Sequence, residues 1–213
     1  MDFLGAFQWA NLSFLWQGLR VTLQVTVITI LLSLLFGTLL GIIRYLKIAF
    51  LSKGVGFVID IIRNLPLLLI IFFTYFALPQ MGLRLNIFWS AIAAMTVFES
   101  AMISEIIRGG MEAVDKGQTE AALSTGLTYP QAIGYVILPQ AIRSMLSALV
   151  SQLIALIKDT SLATIISLPE LTHNARIIYG QNTNQVIPVF VIMAACYWGI
   201  CFLLSVLSKQ LKF

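Results

Sequence analysis

The sequence predicts an all-α integral membrane protein with five transmembrane helices. Hydrophobic residues make up 59% of the 213 positions and charged residues only 10%, whereas soluble domains carry roughly 25% charged residues. A soluble chain of this size could not bury so much apolar surface. The apolar runs are expected to be helical, because in lipid each segment must satisfy its own backbone hydrogen bonds. We expect a single domain covering residues 1–213.

Five apolar runs are long enough to cross a bilayer, which takes about 20 residues in a helix. They are residues 19–43, 56–78, 87–107, 140–157 and 186–207. The aromatic residues between Phe7 and Trp16 predict a segment at the membrane interface rather than a cleavable signal. In the second run, Asn64 and Pro66 are expected to interrupt the helix.

The distribution of basic residues predicts the orientation of the chain. With the N-terminus outside and the C-terminus inside, eight basic residues lie in cytoplasmic segments and three lie outside, as the excess of positive charge on the cytoplasmic side requires. The cytoplasmic residues are Arg44, Lys47, Lys53, Arg108, Lys116, Arg143, Lys209 and Lys212, and the outer ones are Arg20, Arg84 and Arg176. The segment 112–139 is therefore expected in the cytoplasm.

The 112–139 segment has the pattern of two short helices joined by a turn. Glu120 is expected at the start of the first helix, where the helix dipole favours a negative charge, and Gly126 is expected to end it. Pro130 and Pro139 bracket the second. A helical pair this small hardly folds alone, so the pattern predicts a docking element. A plain connecting loop is the alternative.

These residues resemble the EAA loop of ABC importer permeases. The match consists of Glu120-Ala121-Ala122, Gly126, Val136, Leu138 and Pro139, with valine at 136 where that family usually has isoleucine. Other matches, to the polar amino acid uptake branch, are Arg63-Asn64-Leu65-Pro66-Leu67-Leu68, Glu105 with Arg108-Gly109-Gly110, Lys116-Gly117-Gln118, Leu138-Pro139-Gln140-Ala141 and Lys158-Asp159-Thr160-Ser161-Leu162. The similarity runs from about Arg20 to the C-terminus and is strongest to glutamine permeases of Gram-positive bacteria.

The resemblance implies a permease of the bacterial cell membrane that imports a polar amino acid, with glutamine as the first substrate expected. ATP and Mg²⁺ would bind to a separate nucleotide-binding ATPase subunit, so this chain would hold no cofactor. That subunit would receive the EAA loop through Glu120, Ala121, Ala122, Gly126 and Pro139. The other implied partners are a second permease copy or a sister permease, an extracytoplasmic amino-acid-binding protein and membrane lipid. The modest net charge of +4 does not require nucleic acid.

Polar residues at membrane depth are candidates for a substrate site, because they are costly to bury there. Glu99 lies near the middle of the third run and could receive the ammonium group of an amino acid; an internal partner or protonation is the alternative. The position of Gln152 is often polar in the resembling family, and a neutral amide suits a neutral polar side chain. Ser151 is a further candidate, although serines in membrane helices commonly serve packing. Glu105 is expected to pair with Arg108.

No catalytic or metal site is expected. The sequence contains no G-x-x-x-x-G-K-[ST] phosphate loop, and His173 is its only histidine. Cys196 and Cys201 fall on different faces of a helix, which argues against a disulfide. An ATP-independent secondary transporter or channel stays open but leaves Glu120–Pro139 unexplained. A membrane-bound enzyme would need a convergent set of reactive groups, and the sequence shows none.

Overall fold

The computed structural model describes the backbone of residues 2–210 and the side chains of residues 2–208. Within that part of the chain the secondary structure is helical throughout, with no strand. The α-helices are α1 (Phe3–Ala6), α2 (Trp9–Tyr45), α3 (Leu51–Asn64), α4 (Leu67–Phe72), α5 (Ile87–Glu112), α6 (Lys116–Ser124), α7 (Tyr129–Ala132), α8 (Leu138–Asp159), α9 (Leu171–Gln181) and α10 (Val186–Gln210). Lys212 and the side chain of Lys209, both used to predict the orientation, lie outside the described residues.

Four helical stretches are long and apolar enough to cross a membrane, and a bent pair of helices raises the number to five if the pair counts as one span. The four are Trp9–Tyr45, Ile87–Glu112, Tyr129–Ile166 and Thr183–Ser208, and the pair is Leu51–Asn64 with Leu67–Met81. The prediction of an all-helical, multi-pass membrane protein is therefore confirmed.

The interruption predicted in the second run lies at the junction of α3 and α4. Leu65 has an extended backbone (φ −91°, ψ 141°), which a residue before proline prefers. Pro66 has no N–H to donate, so the hydrogen-bonding pattern of the helix stops there. The side-chain amide of Asn64 donates to the backbone oxygen of Asp60 at 2.7 Å. Asn64 and Pro66 thus interrupt the helix as expected.

The helix that contains the first predicted span, α2, begins earlier than the sequence predicts. Residues 9–18, expected to form an interfacial segment outside the first span, are the first turns of α2, which runs unbroken from Trp9 to Tyr45. Trp9 and Trp16 are exposed on this helix. Their aromatic character reflects the surface that they face rather than a separate element, which composition alone does not distinguish.

Pro139 does not end a second short helix, contrary to the prediction. The chain stays helical from Tyr129 to Asp159 because a π-helical turn, Ile133–Ile137, directly precedes the proline. The Leu138 N–H bonds to the oxygen of Ile133, five residues back. Such a wide turn accommodates a residue that cannot donate a hydrogen bond.

The same arrangement occurs at a second Leu-Pro-Gln sequence, residues 78–80. A π-helical turn, Phe73–Ala77, precedes it. The side-chain amide of Gln80 donates to the oxygen four residues back at 3.3 Å, and that of Gln140 does so at 2.9 Å. In both places the glutamine amide supplies a donor to the carbonyl group three residues before the proline.

The described chain groups into two compact units. Within the described residues, the first comprises 2–31, 66–96 and 153–210. Its buried apolar core is formed by Ala6, Leu15, Leu171, Ala175, Ile178 and Val189. The fully buried Glu170 begins α9 and accepts hydrogen bonds from the N–H groups of Thr172 (2.9 Å) and His173 (2.7 Å) and from the Tyr197 hydroxyl (3.1 Å). Burial raises the pKa of Glu170 to about 7, although these donors oppose the shift.

The second unit comprises Leu32–Leu65 and Val97–Gln152. Here α2 and α5 approach closely because α2 presents Gly37 and Gly41, four residues apart on one face. A Cβ atom on Gly37 would lie 2.7 Å from Cγ2 of Ile103, and one on Gly41 would lie 2.7 Å from Cβ of Ile107. This packing fixes the part of α5 that carries the polar residues described next.

Candidate functional site

A carboxylate and an amide meet within the second unit. The side-chain Nε2 of Gln152 on α8 donates to both carboxylate oxygens of Glu99 on α5, at 3.3 and 3.0 Å. Glu99 has no solvent exposure. Buried charge is stabilised by hydrogen bonds, so the amide holds the carboxylate in a defined orientation. The structure therefore brings together two of the three residues that the sequence nominated as substrate contacts.

Ser151 does not join this pair. Its hydroxyl donates to the backbone oxygen of Ser147 at 2.9 Å, one helical turn earlier, and the residue is exposed. A serine that bonds back to its own helix leaves no donor for the neighbouring helix. Gln152 donates to Glu99, whereas Ser151 donates to its own helix.

Six residues beyond Glu99, Glu105 lies among guanidinium groups from three helices. Arg44 of α2 approaches it to 2.5 Å and Arg63 of α3 to 3.6 Å. Arg108 on α5 itself binds the other carboxylate oxygen and also contacts Glu112 at 2.5 Å. The pairing of Glu105 with Arg108 is confirmed, and the full group is a network that ties α2 and α3 to α5.

Sequence reasoning missed two members of this network. Arg44 lies 61 residues from Glu105 along the chain, and Arg63 belongs to a different helix. Each is basic and near a helix end, a pattern that predicts a cytoplasmic boundary but names no partner. Only a long-range contact between α2, α3 and α5 could have identified them.

The 112–139 segment begins with α6, whose start differs from the prediction. The N-cap residue is Asp115, and its carboxylate accepts a hydrogen bond from the Gly117 N–H at 2.7 Å. Glu120, predicted to begin this helix, lies in its second turn. Asp115 caps the helix instead, because its short side chain reaches a backbone N–H two residues further along the chain.

Gly126 ends α6 as predicted. It has φ +88°, and its N–H donates to the oxygen of Leu123 at 3.0 Å while Leu127 N–H donates to Ala122 at 3.3 Å. This pair of bonds closes a helix with a left-handed residue, a place that favours glycine. A Cβ atom there would meet no other atom within 4 Å, so the turn faces open space.

The surface around this turn combines small and large side chains. Ala122 is buried, whereas Glu120, Ala121, Gly126 and Pro139 are exposed. Three large side chains are exposed as well: Leu123, Tyr129 and Tyr135. Aromatic residues are enriched in protein contacts, and small side chains such as Ala121 and Ala122 allow another surface to approach closely.

The described residues contain no group of three or more His, Cys, Asp or Glu side chains that could hold a metal ion. Cys196 and Cys201 are both unpaired thiols.

Comparison with known proteins relates the chain to transporters. Residues 33–212 match the family of binding-protein-dependent transport system inner membrane components. The chain is 50% identical to the "Probable glutamine ABC transporter permease protein GlnP" of Bacillus subtilis (strain 168), over 100% of this chain and 98% of that protein. It is 37% identical to the "Probable glutamine ABC transporter permease protein GlnM" of the same strain, with 95% of each chain covered.

Among solved structures, the chain resembles an amino acid ABC transporter crystallised with histidines. The TM-score is 0.91 at 32% sequence identity, and the match covers 100% of this chain and 98% of the other. The sequence matches and this structural likeness extend over the polar residues of α5, the 112–139 segment and α8. The chain belongs to the family of binding-protein-dependent transport system inner membrane components.

Proposed function

We propose that this chain is the permease subunit of an ATP-driven importer for a polar amino acid, with glutamine as the first candidate. The observation that carries the proposal is the buried pair of Glu99 and Gln152. A transported amino acid leaves water with charged ends that each need a partner, and a carboxylate forms charge-assisted hydrogen bonds with an ammonium group. The amide of Gln152 can both donate to and accept from a substrate amide.

The relatives support this substrate class. Two of them are named as glutamine permeases, and the solved neighbour holds histidines. The neutral amide of Gln152 complements a neutral polar side chain better than a cationic one, because a cation would lose hydration without gaining an opposite charge from that position. Glutamine is therefore favoured over arginine.

The 112–139 segment supports coupling to a separate ATPase, since the sequence contains no phosphate loop of its own. The turn at Gly126 presents Ala121, Leu123 and Tyr129 on an exposed surface, and a nucleotide-binding subunit with its ATP and Mg²⁺ would dock there. Movement of that subunit would open the path alternately to either side. A second permease copy or a sister permease would complete the path, and an extracytoplasmic binding protein would deliver the substrate.

The proposed orientation has the N-terminus outside and the C-terminus inside. The bias of basic residues supports it. A cysteine replacing Lys116 should react with an impermeant thiol reagent only from the cytoplasmic face, and one replacing Arg84 only from outside. The reversed pattern of labelling would overturn the orientation.

Uptake by the chain reconstituted in proteoliposomes with its ATPase and binding protein tests the function. We expect labelled glutamine to accumulate only when ATP is supplied on the side of the vesicle membrane where the ATPase subunit lies. Competition by glutamate, histidine, cystine and arginine ranks the substrates. Uptake by the permease alone, without ATP hydrolysis, would instead identify a secondary transporter or channel.

Gly126→Asp tests the coupling role. It places a charged side chain where the turn faces its partner, so ATP hydrolysis should be uncoupled from uptake or the complex should fail to assemble. Gly82→Asp is a matched control, because Gly82 has a similar backbone (φ +91°) and equally open surroundings but lies outside under the proposed orientation. Equal uptake by the two variants would contradict docking at Gly126.

A further inference from the structure

Two surface depressions lie on opposite sides of α3 in the second unit. One is an apolar groove of about 790 Å³, lined by Leu40, Phe50, Gly54, Val58, Val97 and Ala101 among others. The other is a cavity of about 450 Å³ whose charged lining residues are Arg44, Lys47, Lys53, Asp60, Arg108 and Glu112. Both volumes fall within the range of small-molecule sites.

The two depressions adjoin at the start of α3. Phe50, Leu51 and Gly54 line the groove, while Ser52 and Lys53, from the same turn of chain, line the cavity. Phe50 is 90% exposed. One elongated molecule with a polar end and an apolar tail could therefore occupy both sides of this turn.

Most charged groups of the cavity are already paired. These pairs are Arg44 and Arg108 with Glu105, Glu112 with Arg108, and Asp60 with Arg63. Within the described residues, no ion pair includes Lys47 or Lys53, and both are exposed. The cavity thus has two lysines that form no ion pair with a described carboxylate, and it lies beside a groove with almost no polar surface.

We propose that this face of α3 binds an anionic phospholipid, with its phosphate at Lys47 and Lys53 and an acyl chain in the groove. Basic pockets on the cytoplasmic side of membrane helices bind anionic headgroups. A zwitterionic lipid would bring no net charge to complement the lysines. The leaflet follows from the proposed orientation, but binding itself does not depend on transport and is measured separately from it.

Thermal unfolding of the detergent-solubilised full-length chain tests the headgroup. Phosphatidylglycerol should raise the unfolding midpoint more than phosphatidylcholine with the same acyl chains, because a ligand that binds only the folded state stabilises it. Lys47→Gln with Lys53→Gln should abolish that difference. Lys116→Gln with Arg143→Gln, which removes equal charge elsewhere, should leave it. An undiminished difference in the Lys47/Lys53 variant would overturn the site.

Gly54→Phe tests the groove. A Cβ atom at Gly54 meets nothing within 4 Å, so the new ring can fill the groove without a backbone clash. The variant should fold without lipid but lose the phosphatidylglycerol shift, whereas Gly180→Phe, at another open position of a helix, should keep it. A full shift in Gly54→Phe would show that no acyl chain lies in the groove and overturn the proposal.

Two further results would name a different occupant. Glycerol phosphate should leave the wild-type midpoint unchanged; an equal shift by this headgroup alone would mean a site for a free phosphate. Native mass spectrometry should show a retained phospholipid that Gly54→Phe loses. A change in the number of copies in the assembly, with lipid retention unchanged, would identify the groove as a contact between subunits instead.

Discussion

Glu99 and Glu105 are carboxylates on the same helix, six residues apart, with different surroundings. Glu105 is 23% exposed and is held by arginines from α2, α3 and α5. Glu99 is fully buried, and a neutral amide from α8 bonds to both of its oxygens. The two positions therefore differ in exposure, and arginines bind Glu105 whereas an amide binds Glu99.

We propose that this difference separates a structural role at Glu105 from a transport role at Glu99. Opposite charges that converge from several helices fix those helices, and removing the central charge leaves the others repelling one another. The Gln152 amide orients the Glu99 carboxylate, and a carboxylate binds an ammonium group through charge-assisted hydrogen bonds. We therefore expect changes at Glu105 to affect folding and changes at Glu99 to affect transport.

Glu105→Gln should have the largest effect. It leaves three guanidinium groups around a neutral side chain, and should cost about 3 kcal/mol, the lower end of the roughly 3–5 kcal/mol for a broken buried pair, because the site is partly exposed. Thermal unfolding in detergent and the amount of chain in the membrane measure this. Glu112→Gln is the control, since its single pair with Arg108 is more exposed. Equal loss in both variants would contradict the central place of Glu105.

Glu99→Gln should lower uptake of every amino acid tested. The loss of a charged hydrogen bond costs roughly 1.5–3 kcal/mol, or about ten- to a hundredfold in binding. Glutamine has nearly the same shape as glutamate, so the unfolding temperature of the variant should stay close to that of the wild type. Failure of this variant to accumulate in the membrane would assign Glu99 a structural role instead.

Arg63→Gln should have a smaller effect than Glu105→Gln. Arg63 lies 3.6 Å from Glu105 and its side chain is 35% exposed, and exposed ion pairs contribute at most about 1 kcal/mol. We expect a slight decrease in the unfolding midpoint and normal uptake. A decrease as large as that of Glu105→Gln would show that Arg44 and Arg108 do not keep Glu105 paired when Arg63 is lost.

Ser151→Ala should have the smallest effect. Its hydroxyl bonds to its own helix, so its loss should change uptake and stability by no more than about 0.5 kcal/mol. The substrate ranking should also stay the same. A shift of the substrate ranking in the uptake assay would show that Ser151 contributes to the proposed substrate site despite the hydrogen bond to its own helix.

Local sequence signals predicted much of this structure. Apolar run length predicted a helical, multi-pass membrane protein. Pro66 predicted the break before α4 and Gly126 the end of α6, because each of these two residues acts on the backbone within a few positions. The pairing of Glu105 with Arg108 is likewise local. Such features follow from backbone geometry and helix spacing, which the sequence displays directly.

Features that depend on competition or on distant residues were not predictable. Asp115 displaced Glu120 as the start of α6 because two acceptors competed for one helix end. Pro139 was expected to end a helix, but a π-helical turn absorbed it. Arg44 reached Glu105 only through the packing of α2 on α5, and the same kind of long-range contact joined Gln152 to Glu99.

Competitive uptake by Gln152→Glu tests the substrate site most directly. The substitution places a second carboxylic acid group beside Glu99. Two such groups in contact disfavour each other's ionisation, and a cationic substrate side chain would relieve that repulsion. The account predicts that the ranking shifts from glutamine toward arginine, with glutamate as the reference anion and Ser151→Ala as the matched control. An unchanged ranking in a variant that still transports would show that Gln152 serves packing and does not contact the substrate.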